Sequence, residues 1–572
     1  MKKRTLLIVT ALAGAIPAPA RAQQPPEAAP PVAPPTPTPA PSTPPTPSSP
    51  SPSPTSASPT VSATPKPKKK PLEPETPPKP ALSLDIATPD IGAPPGRFRP
   101  SWGAPPRSPA DWQFGFHGYL NVPLRIGIGE RKHPLDTQYK TVLHGPPLSA
   151  DDLERFEHTG VIPTPWVQLG FSYGNSDVMA TVIIGARSLS GATSYVDPPA
   201  QVGMNDAFVT FTPHFPTFDL KFDVGAFANR YGSLGEYDTG RYDTPIVARV
   251  AGVGYTAHAA IPISQKLTFL AEDGTTGQFD RAPLGVAPAG WNGFTDSTVG
   301  TSFAHHDHLG LALRDVGRLG LHWVNAFTRD DRTPPGQPDG GITVLGADAH
   351  AGFGAFGHLG LAFSQTIADH SHAVSGVIRV LNAFGGPGLM KEYFGPNSKR
   401  GTGTLTTVGA QYDLSIGELV RHPSPYSGYG PDLLVSAFGM LVGVQSEDKT
   451  TFVRDPSGVL LLNAPGGQPL YDGVLKVKYG AELTYSAFSW FAFGGRYDRV
   501  VANTDDDAQT IAAITPRLIF RTDYNSRDQV TLAYTHWSYG SGVVLRPNYR
   551  DLPDPSAVPD SDTFSLSATM WW

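Results

Sequence analysis

The sequence predicts an all-β fold, a transmembrane antiparallel β-barrel of about 18 strands, preceded by a disordered proline-rich segment. Three observations predict it. From Asp111 to Trp572, stretches of 8–15 residues alternate between an apolar and a polar face, the period of two that marks a strand with one face in an apolar medium and one in water. Short polar turns alternate along the chain with long glycine-rich loops, the asymmetry of an outer-membrane barrel. No uninterrupted apolar run reaches 18 residues, so the pattern contains no helical span.

Composition sets the outer limits. The chain has 572 residues, net charge −6, only 16% charged residues, 60 glycines, 62 prolines and no cysteine. Soluble proteins carry roughly a quarter charged residues, so the charge is low, yet the mean hydropathy of −0.20 excludes a bundle of long apolar helices. Without cysteine there are no disulfides, thiolate metal sites or thiol nucleophiles. Mild acidity argues against bulk nucleic-acid binding.

Residues 1–22 read as a secretory signal. Lys2, Lys3 and Arg4 form the basic end, Thr5 to Ile16 the apolar stretch, and Ala20-Arg21-Ala22 the cleavage site. The competing reading, a membrane anchor, needs about 20 apolar residues. Residues 23–110 hold nearly half of the prolines, mixed with Ser, Thr and Ala. Such a composition buries no core and forms polyproline II or disorder, spanning on the order of 270 Å if fully extended at ~3.1 Å per residue. Its basic cluster, Lys66-Pro67-Lys68-Lys69-Lys70, suits an anionic polymer such as peptidoglycan or a tether with no partner.

Residues 111–572 form the barrel. Strands are expected near 112–128, 165–174, 178–186, 206–212, 218–227, 246–260, 267–272, 299–314, 318–329, 342–353, 355–367 and 404–415, then near 431–444, 474–486, 488–500, 512–524, 528–538 and 562–572. In 114–128, Phe114, Phe116, Leu120, Val122 and Leu124 oppose His117, Tyr119, Asn121 and Arg125. In 475–486, Leu475, Val477, Tyr479 and Leu483 oppose Lys476, Lys478, Glu482 and Thr484. Long loops are expected at 129–163, 228–245, 273–298, 445–472 and 539–560. An even strand count returns both termini to the periplasmic side. The short run 267–272 and the long turn 416–431 leave 16 strands as the alternative count. At either size the lumen is wide enough for an aqueous channel.

The two ends of the barrel carry a resemblance. Phe116-His117-Gly118-Tyr119-Leu120 on the first strand and Met570-Trp571-Trp572 at the end of the last resemble the maltoporin family of sugar-specific porins. That resemblance implies a trimeric 18-stranded channel passing oligosaccharides along a track of aromatic side chains. It matches Tyr119, Trp166 and Trp571 to track positions, and Asn121 stands where the family has an arginine. Alternation independently places Trp537 and Trp571 on the wet faces of the last two strands. Barrel closure then brings Tyr119, Trp166, Trp537 and Trp571 to one wall, where aromatic faces can stack on sugar rings. The opposing reading is an interfacial girdle facing lipid.

The third long loop mixes both charges with tyrosines, and in porins of this kind that loop folds inward to set the constriction. Arg230, Glu236, Asp238, Arg241 and Asp243 are the candidates for a transverse field there. Other clusters point to no chemistry. In His305-His306-Asp307-His308 only His306 and His308 share a strand face, which leaves a metal site without a third ligand. No nucleophile motif accompanies Asp348-His350 or Asp369-His370-Ser371-His372, and Ala373 to Phe384 has the pattern of a short amphipathic helix. No metal, cofactor or enzymatic activity is expected. The functional expectation is a Gram-negative outer-membrane channel, passively passing small hydrophilic solutes with a bias to maltodextrin-like sugars, assembled as a homotrimer. The alternative is a plugged structural or adhesive barrel tethered to the cell wall.

Overall fold

The computed structural model describes residues 112–128, 166–187, 201–235, 237, 245–279, 301–328, 340–371, 378–380, 394, 401–421, 431–456, 460–523, 528–543 and 560–571. The expected signal, the proline-rich segment with its Lys66–Lys70 cluster and most of the long loops lie outside these residues.

Period-two alternation translates directly into strands. In chain order they are β1 (Gln113–Ile128), β2 (Trp166–Gly174), β3 (Val178–Arg187), β4 (Gln201–Phe211), β5 (Asp219–Ser233), β6 (Pro245–Pro262), β7 (Leu267–Phe279), β8 (Thr301–Leu313), β9 (Gly317–Thr328), β10 (Gly341–Gly352) and β11 (His358–Asp369). They continue as β12 (Ile378–Val380), β13 (Gly403–Ser415), β14 (Asp432–Ser446), β15 (Thr451–Arg454), β16 (Leu460–Leu462), β17 (Gln468–Pro469), β18 (Val474–Phe488), β19 (Phe491–Val501), β20 (Thr510–Arg521), β21 (Gln529–Tyr539) and β22 (Ser561–Trp571). β15, β16 and β17 form a separate three-stranded sheet in a loop, and β12 adds only to an edge of β6. The other 18 pair antiparallel with their chain neighbours, and β1 closes the wall by pairing with both β2 and β22. The count is therefore 18, and the alternative of 16 falls.

Alternation also fixes which face meets which medium. Phe114, Leu321, Leu483 and Ile514 point outward and are more than half exposed, while inward neighbours such as Thr256, Thr407 and Lys478 are fully buried. A belt of exposed large apolar side chains is stable only against lipid, and in lipid every backbone polar group needs a partner within the sheet, which closure supplies. The belt is interrupted where Asp273, His305 and Asp307 face outward on β7 and β8. His305 Nε2 lies 3.3 Å from Asp307 and 3.7 Å from Asp273, while Thr275 Oγ1 meets His305 Nδ1 at 3.0 Å. Mutual pairing is how polar groups are accommodated on an apolar face.

Two expectations need correction, and the long turn gains a defined start. The run near 267–272 extends to Phe279, because residues beyond 272 pair in register with both β6 and β8. The segment Ala373 to Phe384 supplies the strand β12 in place of a helix, its Ile378–Val380 taking up the free edge of β6. That edge offers unpaired backbone groups, and β-branched residues suit it. The long turn 416–431 begins with a helix, α1 (Ile416–Arg421), entered through Ser415 Oγ, which accepts from the Glu418 N–H at 3.1 Å.

At the long-loop end, Arg454 joins three loops. Its Nη2 lies 2.8 Å from Asp506 Oδ2 and donates to the Gly542 carbonyl at 3.1 Å. Burial pushes the Asp506 carboxyl up, but hydrogen bonds from Arg454 and Gln509 outweigh it and hold the pKa below its ordinary value.

The lipid-facing assignment has a direct test at Phe363, an outward residue in the middle of β11 flanked by exposed Leu361 and Ile367. Phe363→Arg should cost about 2–4 kcal/mol in urea unfolding from lipid vesicles, whereas Phe363→Leu should lose far less.

Candidate functional site

β5 and β6 run for 15 and 18 residues, longer than the roughly 9–11 a tilted strand needs to cross a bilayer. The surplus leaves the wall. β4 pairs with β5 only up to Ala207↔Ala226, and β7 pairs with β6 only from Val253↔Gly277 downward. Above these points β5 and β6 continue as a two-stranded ribbon bonded to each other, with a register shift between Tyr231 and Ser233. β12 pairs with the ribbon's free edge at Ala248–Val250, which satisfies backbone groups that the wall no longer serves.

The ribbon folds into the lumen. Tyr231, Leu234, Val247, Ala248 and Val250 are buried, packed in one cluster with inward residues of β8 to β14 that include Ala304, Val324, Ile342, Val344, Leu405 and Met440. The approach is close: a Cβ on Gly346 of β10 would stand 2.1 Å from Val247 Cγ2, so only glycine fits there. Beyond Ser233 the chain reaches the far wall. Tyr237 stacks on Phe438 of β14 with centroids 5.4 Å apart and planes within 6°. The Arg496 guanidinium of β19 covers the ring at 3.7 Å. The Tyr237 hydroxyl donates to Asp498 Oδ1 at 3.0 Å, and its backbone N–H donates to Gln411 Oε1 at 3.1 Å. β5 is the fifth and β19 the fifteenth of the 18 wall strands, so this segment crosses the bore.

Two charged walls face the crossing. On β18 to β20, Glu482 is bound by Arg517 and lies 3.7 Å from Arg496 Nη1, and Arg496 Nε donates to Asp498 at 2.9 Å. Lys476 and Lys478 point inward on the same wall, and Arg521 donates to Ser486 Oγ at 2.6 Å. On the opposite side, successive register partners Lys221, His258, Glu272, His308 and His322 form one straight row across β5 to β9. His258 lies 3.0 Å from Glu272 and 3.3 Å from Asp223, and Tyr231 donates to Glu272 at 2.7 Å. A guanidinium or imidazole beside each carboxylate offsets the desolvation of both.

The structure brings together some of the expected site residues and not others. Tyr119 lies on the inward face of β1, only 2% exposed. Trp537 shares the inward face of β21 with Thr535. Its indole donates to Thr563 Oγ1 at 2.9 Å and packs with Ile511, Ala513 and Val543. Trp166 and Trp571 occupy register positions opposite Asn121 and Tyr119, and their side chains lie outside the described residues. Arg230 lies on β5 opposite Arg249, its side chain likewise undescribed, and Glu236, Asp238, Arg241 and Asp243 are outside the described residues. Sequence reasoning singled out charges in the third loop, whereas the described contacts across the lumen come from Tyr231, Leu234 and Tyr237. It also passed over Arg496 and Asp498, although alternation from Ala492 onward places both on the inward face.

No family model matches this chain, and no curated protein matches it. Among solved structures it is similar to OccK8 (OprE) of Pseudomonas aeruginosa, at 11% identity over 80% of this chain and 98% of that chain, TM-score 0.37. It is also similar to a BenF-like porin from Pseudomonas fluorescens Pf-5, at 9% identity over 81% and 98%, TM-score 0.38. A third is the outer membrane protein OprD of Pseudomonas aeruginosa, at 9% identity over 80% and 94%, TM-score 0.36.

If Tyr237 anchors the crossing, its removal should free the segment while the wall stays intact. Tyr237→Ala is expected to raise hydrogen exchange of the amides at 233–237 by at least about tenfold, the equivalent of about 1.4 kcal/mol of local stability. Amides in β18 and β19 should be unchanged, and Tyr237→Phe, which keeps the stack on Phe438, should show a smaller increase.

Proposed function

We propose that the chain is a Gram-negative outer-membrane porin, exported by its N-terminal signal, that lets small hydrophilic solutes diffuse down their gradients. No bond is made or broken. The observation that carries this reading is the inward ribbon anchored through Tyr237 on the opposite wall. It places a narrowing inside a lumen lined by ion-paired side chains, where selection by size and charge takes place. A barrel serving only as an anchor needs neither the crossing nor the charged walls.

A bias toward hydroxyl-rich solutes follows as the finer part of the proposal. Alternating carboxylates and guanidinium groups at Glu482, Arg496, Asp498 and Arg517 offer acceptors and donors to hydroxyls. Tyr119 and Trp537 add inward aromatic rings on β1 and β21, Trp537 packed against Ile511, Ala513 and Val543. Homotrimeric assembly and capture of peptidoglycan through residues 66–70 belong to the same proposal. The plugged-barrel alternative draws on one observation, the apolar packing of the ribbon against β8 to β14.

Planar-bilayer recording of the purified protein separates the two. The porin reading expects stepwise conductance that maltodextrin blocks, with Tyr119→Ala weakening the blockade while leaving the pore open. Absence of conductance would overturn the channel reading, and conductance insensitive to maltodextrin would remove the sugar bias alone.

A further inference from the structure

In the channel reading His308 and His322 count only as part of a charged wall, and the histidines of β8–β10 have no further role. His308 and His322 are cross-strand partners on β8 and β9, and Asp348 on β10 stands opposite Gly320, two residues from His322. All three side chains face the lumen and are more than nine-tenths buried. They lie in the half of each strand nearest its short turn.

Their polar atoms converge on one space. A Cβ built on Gly320 would stand 2.6 Å from His308 Nε2, 3.1 Å from His322 Nε2 and 2.5 Å from Asp348 Oδ1. The three residues offer ligand atoms that all lie within 4.8 Å of one another. The two imidazoles are tilted at 43° with centroids 4.3 Å apart, and His322 Nε2 is in direct contact with Asp348 Oδ1. Nδ1 of both His308 and His322 is buried without a hydrogen-bond partner. Buried polar atoms are satisfied in the great majority of cases, and here neither imidazole is held through its Nδ1, which leaves the Nε2 atoms as the ones that face Asp348. A cation taken by both Nε2 atoms fixes the proton on each Nδ1 and converts three crowded polar atoms into ligands. His350 Nε2, 3.8 Å from Asp348 Oδ2, stands behind the carboxylate.

We propose that His308, His322 and Asp348 form a binding site for a divalent first-row transition cation of the zinc type in the lumen wall. The donor set decides the class: two imidazoles and one carboxylate suit such ions, whereas calcium and magnesium take oxygen ligands. The competing reading is a His322–Asp348 ion pair with His308 as packing; the glycine at 320 leaves room for the three groups under either reading, and the donor set is what favours the cation.

The test uses the full-length protein, purified in detergent, stripped with a chelator and titrated with zinc against a chromophoric competitor. One equivalent per chain is expected. His308→Ala and His322→Ala should each weaken binding by roughly a hundredfold or more. His214→Ala, in the exposed turn after β4, should bind as the parent does. His305→Ala is the decisive control, because His305 lies in the same sequence run but in the outward cluster with Asp273 and Asp307. It too should bind normally. No stoichiometric binding by the parent, parental affinity in both lumenal variants, or loss on His305→Ala would each overturn the proposal. If an alanine variant does not assemble, His308→Gln provides the same readout, and the parent titration decides on its own.

Discussion

A strand that crosses lipid must place every backbone N–H and C=O on a neighbouring strand, because the hydrocarbon offers no alternative partner. The rest of the structure follows from that constraint. It closes 18 strands into a ring through the pairing of β1 with β22 and gives each strand one face for lipid and one for the lumen. It also governs the departure of the β5–β6 ribbon. Once the two strands leave β4 and β7 they keep each other's hydrogen bonds, and β12 takes up the open edge at Ala248–Val250. A surplus of strand length is thereby turned inward with the two strands still bonded to each other.

The lumen obeys a second rule, that a buried charge is tolerated beside its complement. Arg517 with Glu482, Arg496 with Asp498, and His258 between Asp223 and Glu272 all satisfy it. Tyr237 draws on the same network, placing its hydroxyl on Asp498 and its ring beneath Arg496. The crossing is held by groups that also line the walls, so the narrowing and the electrostatics of the bore are coupled. In the His308–His322–Asp348 group, as at several other described lumenal residues, pairing among protein atoms leaves buried nitrogens without a hydrogen-bond partner.

Much of the wall was legible in the sequence. Period-two runs located all 18 strands, and in β18 the opposition of Leu475 and Leu483 to Lys476 and Lys478 separated lipid from lumen. The inward face of Tyr119 followed from parity alone. What escaped depends on register between distant strands. The alternation ends the strand near 227 and predicts a loop at 228–245, but β5 stays paired with β6 as far as Ser233, and nothing in these residues says that the stretch turns into the lumen. β12 reads as a helix in isolation because its strand form depends on an edge more than 100 positions earlier, at Val250. The run His305 to His308 supplies two residues to one face, and their company, His322 and Asp348, arrives only through the pairing of β8, β9 and β10. Tyr237 likewise finds Phe438, Arg496 and Asp498 only once the barrel has closed.

The central claim is that the inward ribbon, anchored at Tyr237, sets the bore of a passive channel. Single-channel conductance of Tyr237→Ala beside the parent, in the same salt and at the same voltage, tests it most directly. The account predicts larger conductance steps and more frequent transitions between levels in the variant. Equal conductance in a variant whose barrel is intact would show that the crossing does not limit flow, and would contradict the account.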